Sequence, residues 1–128
     1  MKKITIDGKE YDIDCNAYTQ IEYKSKFKSG IIQDMQIIKK YLLKQTIVSN
    51  QVNELDLDEV EKINEISDRM SEDIDEFIIK LTQLTWILLY TANDKIEDYK
   101  EWLKSIQKLD ILDDWIVEVT EFAVDCFC

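Results

Sequence analysis

The stretch Phe77-Ile-Ile-Lys-Leu-Thr-Gln-Leu-Thr-Trp-Ile-Leu-Leu-Tyr-Thr-Ala92 decides how this chain folds. Phe77, Ile78, Leu81, Leu84 and Leu88 recur at three and four, and a second apolar row runs through Trp86, Ile87 and Tyr90. A helix that is apolar on most sides is covered on most sides, so this segment predicts the central helix of a bundle. Lys80 and Gln83 interrupt it, and it is too short and too polar to cross a bilayer.

Upstream, Val60, Ile63, Ile66 and Met70 continue the same periodicity, opened by Asp58 and Glu61 in the pattern of a capping box. Ser71 marks either a kink or nothing at all, so the two halves are one helix or two. Before the polar stretch 49–53, Ile31, Met35, Ile38, Leu42 and Gln45 form the stripe of a helix over Ile31–Val48. Ile37, Tyr41 and Leu43 flank that stripe. Asn16 is placed to cap a shorter helix carrying Tyr18, Ile21, Tyr23 and Phe27, with Gly30 stopping it. The start of the chain changes period: Ile4, Ile6, Tyr11 and Ile13 alternate around Asp7-Gly8, a tight-turn hairpin signature. A lone hairpin is marginal in water, so its apolar face must lie on the bundle. Downstream, Asp94 and Glu97 suggest a cap for a short helix with Ile96, Tyr99, Trp102, Leu103 and Ile106. Asp110 suggests the start of a last helix with Leu112, Trp115, Ile116, Val119, Phe122 and Ala123. The expectation is a mainly α fold: one domain, 1–128, with a two-stranded β-hairpin over 1–14 and helices over 16–128.

Composition narrows function by exclusion. The chain has no histidine, no proline, two glycines and a net charge of -11. Without histidine, neither Ser-His nor Cys-His nucleophiles nor the Glu-x-x-His di-iron pattern can be built. Asp12, Asp14 and Asn16 imitate the start of a calcium loop, but Ala17 and Tyr23 stand where glycine and glutamate are needed. No glycine-rich phosphate loop exists. Acid pairs such as Glu72 with Glu76 and Asp114 with Glu118 read as solvated faces. Cys15, Cys126 and Cys128 are an odd count without a disulfide framework. With no signal peptide, they read as reduced thiols, and Cys126-Phe-Cys128 reads as a frayed tail. The expectation is no enzyme, no cofactor and no metal.

The acidity, a pI near 4.4, argues against nucleic acid and anionic membrane as partners. Residues 1–50 hold nine lysines against six acids, whereas 51–76 hold eleven acids against Lys62 and Arg69. This asymmetry allows self-association of basic and acidic ends. The aromatics Trp86, Tyr90, Trp102, Trp115 and Phe122 lie on apolar stripes. They form either core or a groove for an apolar partner helix, and are the candidate contact residues.

Four segments carry a resemblance. Lys3-Ile-Thr-Ile-Asp-Gly-Lys-Glu-Tyr-Asp-Ile13 resembles the opening hairpin of tail assembly chaperones of long-tailed bacteriophages and prophages. Leu84-Thr-Trp-Ile-Leu-Leu-Tyr90 resembles their central helix. Ile96-Glu-Asp-Tyr-Lys-Glu-Trp-Leu103 and Asp114-Trp-Ile-Val-Glu-Val-Thr-Glu-Phe122 are similar to their last helices. The resemblance implies a non-enzymatic protein in the cytoplasm of the bacterial host. It would coat the apolar tape measure protein, help recruit tail tube subunits, and in many cases exist in a longer frameshifted form. The alternative is an acidic inhibitor, such as an immunity protein or DNA mimic, using the acids from Glu54 to Glu76.

Overall fold

A computed structural model of the chain describes residues 1–51, 57–110 and 113–127, and the side chains of those residues outside 44–73. Two strands, β1 (Lys2–Ile6) and β2 (Lys9–Ile13), precede five helices: α1 (Ala17–Phe27), α2 (Ile31–Gln51), α3 (Leu57–Ala92), α4 (Tyr99–Ser105) and α5 (Asp114–Phe127). The mainly α architecture with an N-terminal hairpin is as the sequence predicts.

The strands pair antiparallel from Lys2 opposite Ile13 to Ile6 opposite Lys9. Asp7 and Gly8 both have positive φ, 51° and 79°, which matches the twist of the flanking strands. Alternation puts Ile4, Ile6 and Ile13 on one face, all buried, against α3 and α5. The Asp14 N–H donates to the Leu88 carbonyl at 3.2 Å, and the Gln107 N–H donates to Asp7 Oδ2 at 3.0 Å. The marginal hairpin is thus held at both ends by the helical body.

Asn16 caps α1 as expected. Its Oδ1 accepts from the Tyr18 and Thr19 N–H groups at 2.9 and 3.1 Å, and Thr19 Oγ1 accepts from the Asn16 N–H at 3.1 Å. The helix stops at Lys28, whose φ is 64°, two residues before Gly30. The buried row of α1 is Thr19 and Tyr23, continued by half-buried Phe27. Tyr18 and Ile21, expected on the core stripe, are about 60% exposed (60% and 61%).

Residues 57–92 form one continuous helix of 36 residues, roughly 54 Å long at 1.5 Å per residue, so Ser71 interrupts nothing. Phe77, Leu81, Leu84 and Trp86 to Leu89 are buried, which makes this half the central element. Its threonines avoid a desolvation cost by bonding back along the helix: Thr85 Oγ1 donates to the Leu81 carbonyl at 2.7 Å and Thr91 Oγ1 to that of Ile87 at 2.8 Å. Tyr41 stacks on Phe77, centroids 4.2 Å apart, and joins α2 to α3. The Asp58–Glu61 cap, the Val60 to Met70 stripe, Gln45, and most of the acids from Glu54 to Glu76 lie outside the described side chains.

Three expectations are corrected. The α4 helix starts at Tyr99, not after Asp94, because Asn93 Oδ1 takes the Lys95 N–H at 3.1 Å and turns the chain there. Asp110 precedes α5 by four residues, and its carbonyl accepts from the Asp113 N–H at 3.2 Å. Cys15 and Cys126 form a disulfide with Cα atoms 6.4 Å apart, across a sequence separation of 111. Cys126 lies within α5 rather than on a frayed tail. The pairing escapes sequence reading because only the packing of α5 beside the hairpin brings the two sulfurs together. No helix among the described residues is long and apolar enough to cross a membrane.

Candidate protein-binding groove

Tyr18, Glu22, Ser25 and Lys26 follow one another on a single face of α1, at the i, i+4, i+7 and i+8 spacing of a helical stripe. Opposite them Trp86, Ile87 and Tyr90 present one turn of α3. Together they line an open groove of about 250 Å³. Tyr90 stacks on Trp86 with centroids 5.1 Å apart and planes 24° from parallel. Ile21, one turn from Tyr18, adds exposed apolar surface to the same helix.

The groove is held in shape. Trp86 is 3% exposed, its indole N–H donates to the Glu97 carbonyl at 2.9 Å, and Phe27 and Tyr99 meet its ring edge-on. Lys26 crosses one end, its ammonium 4.7 Å from the Trp86 ring centroid and 3.0 Å from Asp98 Oδ1. The Lys26 hydrogen bond holds the Asp98 carboxyl below its ordinary pKa. Such a cation over an indole favours an electron-rich face and keeps the pocket end polar.

Beneath α1 lies a polar cluster that sequence reading missed. Asp34 is 2% exposed. Its Oδ2 accepts from the Tyr23 and Ser29 hydroxyls, each at 2.6 Å, and its Oδ1 lies 3.4 Å from the Lys80 ammonium. A buried carboxylate is tolerable only with such donors. Burial, reinforced by the Asp34 carboxylate, pushes the Tyr23 hydroxyl pKa far above its ordinary value. At the other end of α1, Thr19 and Thr91 share a hydrogen bond of 2.9 Å. Both groove walls are therefore tied together independently of any occupant. The signal for Asp34 was present: it sits between Ile31 and Ile38 on the apolar stripe, where an acid needs a partner, and Lys80 is the one cation in the apolar half of α3.

Of the five aromatics singled out from sequence, Trp86 and Tyr90 meet in this groove. Trp102 is wholly buried under α4 and offers no contact surface. Trp115, 3% exposed, backs a separate recess between hairpin and α5 lined also by Lys3, Asp7, Glu10, Asp113, Asp114 and Glu118. Phe122 is half-buried against the core. The exposed partners across the groove, Tyr18 and Lys26, were not among the candidates. Their signal lay in α1 having two competing apolar rows, only one of which a bundle can bury. Among the described residues no group of acids and cysteines could hold a metal ion.

No known protein family, curated protein or solved structure matches the chain.

Proposed function

We propose that this chain is a non-enzymatic tail assembly chaperone of a long-tailed bacteriophage or prophage, holding an apolar helical segment of the tape measure protein in the groove between α1 and α3 and aiding assembly of the tail tube. The observation that carries the reading is half-buried Tyr90, stacked on the buried Trp86 ring and lining the groove together with exposed Tyr18. Rigid aromatics bury much area at little entropic cost when an apolar side chain packs against them. A groove held open by Asp34, Thr19 and Lys26 needs little reorganisation on binding. The acidic exterior keeps copies carrying such a surface dispersed while a client is held. The resemblance of the hairpin and of the segments 84–90, 96–103 and 114–122 supplies the identity of the client. The same resemblance puts the working site in the cytoplasm of the bacterial host, where a disulfide such as Cys15–Cys126 is transient and redox-responsive rather than permanent.

Co-expression with a tape measure fragment tests this. The intact chain keeps the fragment in the supernatant. Tyr18→Ala with Tyr90→Ala, both at positions with exposed or half-exposed rings, loses about 2–4 kcal/mol of binding by the usual worth of buried aromatics and lets the fragment precipitate. A fragment that precipitates equally with and without the intact chain removes the proposal.

A second reading, an acidic inhibitor, draws on the recess at Trp115, where five carboxylates converge against Lys3. It predicts a basic target whose binding falls steeply with salt, whereas the groove reading predicts weak salt dependence.

A further inference from the structure

We propose that the Cys15–Cys126 pair is a redox clasp that sets the affinity of the α1–α3 groove. The proposal rests on the groove reading above and adds its regulation.

Cys15 occupies the pivot between hairpin and α1. On one side the Asp14 N–H is bonded to the Leu88 carbonyl, next to groove residue Ile87. On the other, Asn16 caps α1, and Tyr18, three residues past the cysteine, forms the groove wall. Cys126 lies in the last turn of α5, a helix packed on β1 and α2. The bond encloses almost the whole chain, with a sequence separation of 111, and joins the start of the groove helix α1 to α5, which supplies no residue to the groove lining. Both cysteines are half-buried, so a small thiol reaches them.

The chemistry is a two-electron exchange. A dithiol reductant attacks one sulfur as thiolate, forming a mixed disulfide and releasing the other cysteine, and its second thiol then closes on the first. The products are Cys15 and Cys126 thiols and the oxidised reductant, with two electrons and two protons passed to the protein. Oxidised glutathione drives the reverse and leaves as two reduced molecules. With the clasp closed, the first turn of α1 is held from both flanks and Tyr18 is preorganised. With it open, the Asn16 cap and the Thr19–Thr91 bond still form the turn, but the pivot at Cys15 loses its tie to α5 and Tyr18 is less firmly placed, at a cost matching about a three- to tenfold loss of affinity.

The test uses the full chain carrying Cys128→Ser, so that one thiol pair remains. Oxidised glutathione should lower its mass by about 2 Da, the two thiol hydrogens, and dithiothreitol should restore it. Closing the bond should raise Tm by about 10 °C, given the length of the loop closed. Amide exchange at 14–19 and 123–127 should slow. A fluorescein-labelled amphipathic Leu/Ala helix peptide, followed by anisotropy, should bind the oxidised form about three- to tenfold tighter, with no redox effect once Cys15→Ser and Cys126→Ser are added. Failure of the bond to form, or equal exchange in both states, overturns the clasp. Equal peptide binding with unequal exchange overturns its control of the groove. Absence of peptide binding in either state sinks the groove reading, and this proposal with it.

Discussion

Replacing Asp34 by alanine should be among the most damaging single changes available to this fold. The substitution removes the acceptor of two 2.6 Å hydrogen bonds, from Tyr23 and Ser29, and the counter-charge 3.4 Å from Lys80. Three donors on three different segments lose their shared acceptor, and the contacts that remain are longer, Tyr23 to Gln83 Oε1 at 3.5 Å and Lys80 to Ser29 Oγ at 3.4 Å. Breaking a buried pair by deleting one partner costs about 3–5 kcal/mol. The Lys80 side chain keeps 20% of its exposure and can turn partly to water, which places the expected loss near ~3 kcal/mol rather than at the top of that range. Against a total stability of about 5–15 kcal/mol, this is a large fraction, and Tm should fall by roughly 10 °C. Urea unfolding followed by tryptophan fluorescence and far-UV circular dichroism measures it. The control is the double variant Asp34→Ala with Lys80→Met. If the unpaired ammonium is what hurts, the double variant recovers about 1 kcal/mol or more over the single one, a coupling that a double-mutant cycle isolates. A loss below about 1 kcal/mol for Asp34→Ala, or strict additivity with Lys80→Met, would refute the cluster as a fastening for α1.

Other tests follow from the same geometry. The Tyr23 hydroxyl has its folded pKa raised above the unfolded value of 10.0, so its contribution is fully present below pH 10 and lost as pH rises beyond it, because the unfolded chain ionises first. Urea midpoints of the intact chain should therefore fall more steeply above pH 10 than those of Tyr23→Phe; parallel curves would show that Tyr23 is not the group responsible. Asn16→Ala removes the side-chain cap of α1 and should cost about 1 kcal/mol, read from the same urea curves, with Asn16→Asp restoring most of it.

Much of the fold was legible because it follows from local periodicity. The alternation of Ile4, Ile6 and Ile13 around Asp7-Gly8, the cap at Asn16 and the all-round apolar face of 77–92 each state their structure within a few residues. The misplacements come where local signals compete. Tyr18 and Ile21 form one apolar row on α1, and Thr19, Tyr23 and Phe27 form another. The second won because Tyr23 reaches Asp34 and Thr19 reaches Thr91, contacts 11 and 72 residues away in sequence. At 93–98, side-chain and backbone turns displaced the expected helix start, and the last helix begins at Asp114 rather than Asp110.

The chain alone determined which segments are helical, that the chain is acidic and that the hairpin depends on the bundle, since hydrophobic spacing and charge act over one or two turns. Tertiary structure alone decided which tryptophans are core and which line a groove, that Asp34 is buried with Lys80, and that Cys15 meets Cys126. Each of these depends on where distant segments pack, and burial, partner and distance are properties of that packing rather than of any segment by itself.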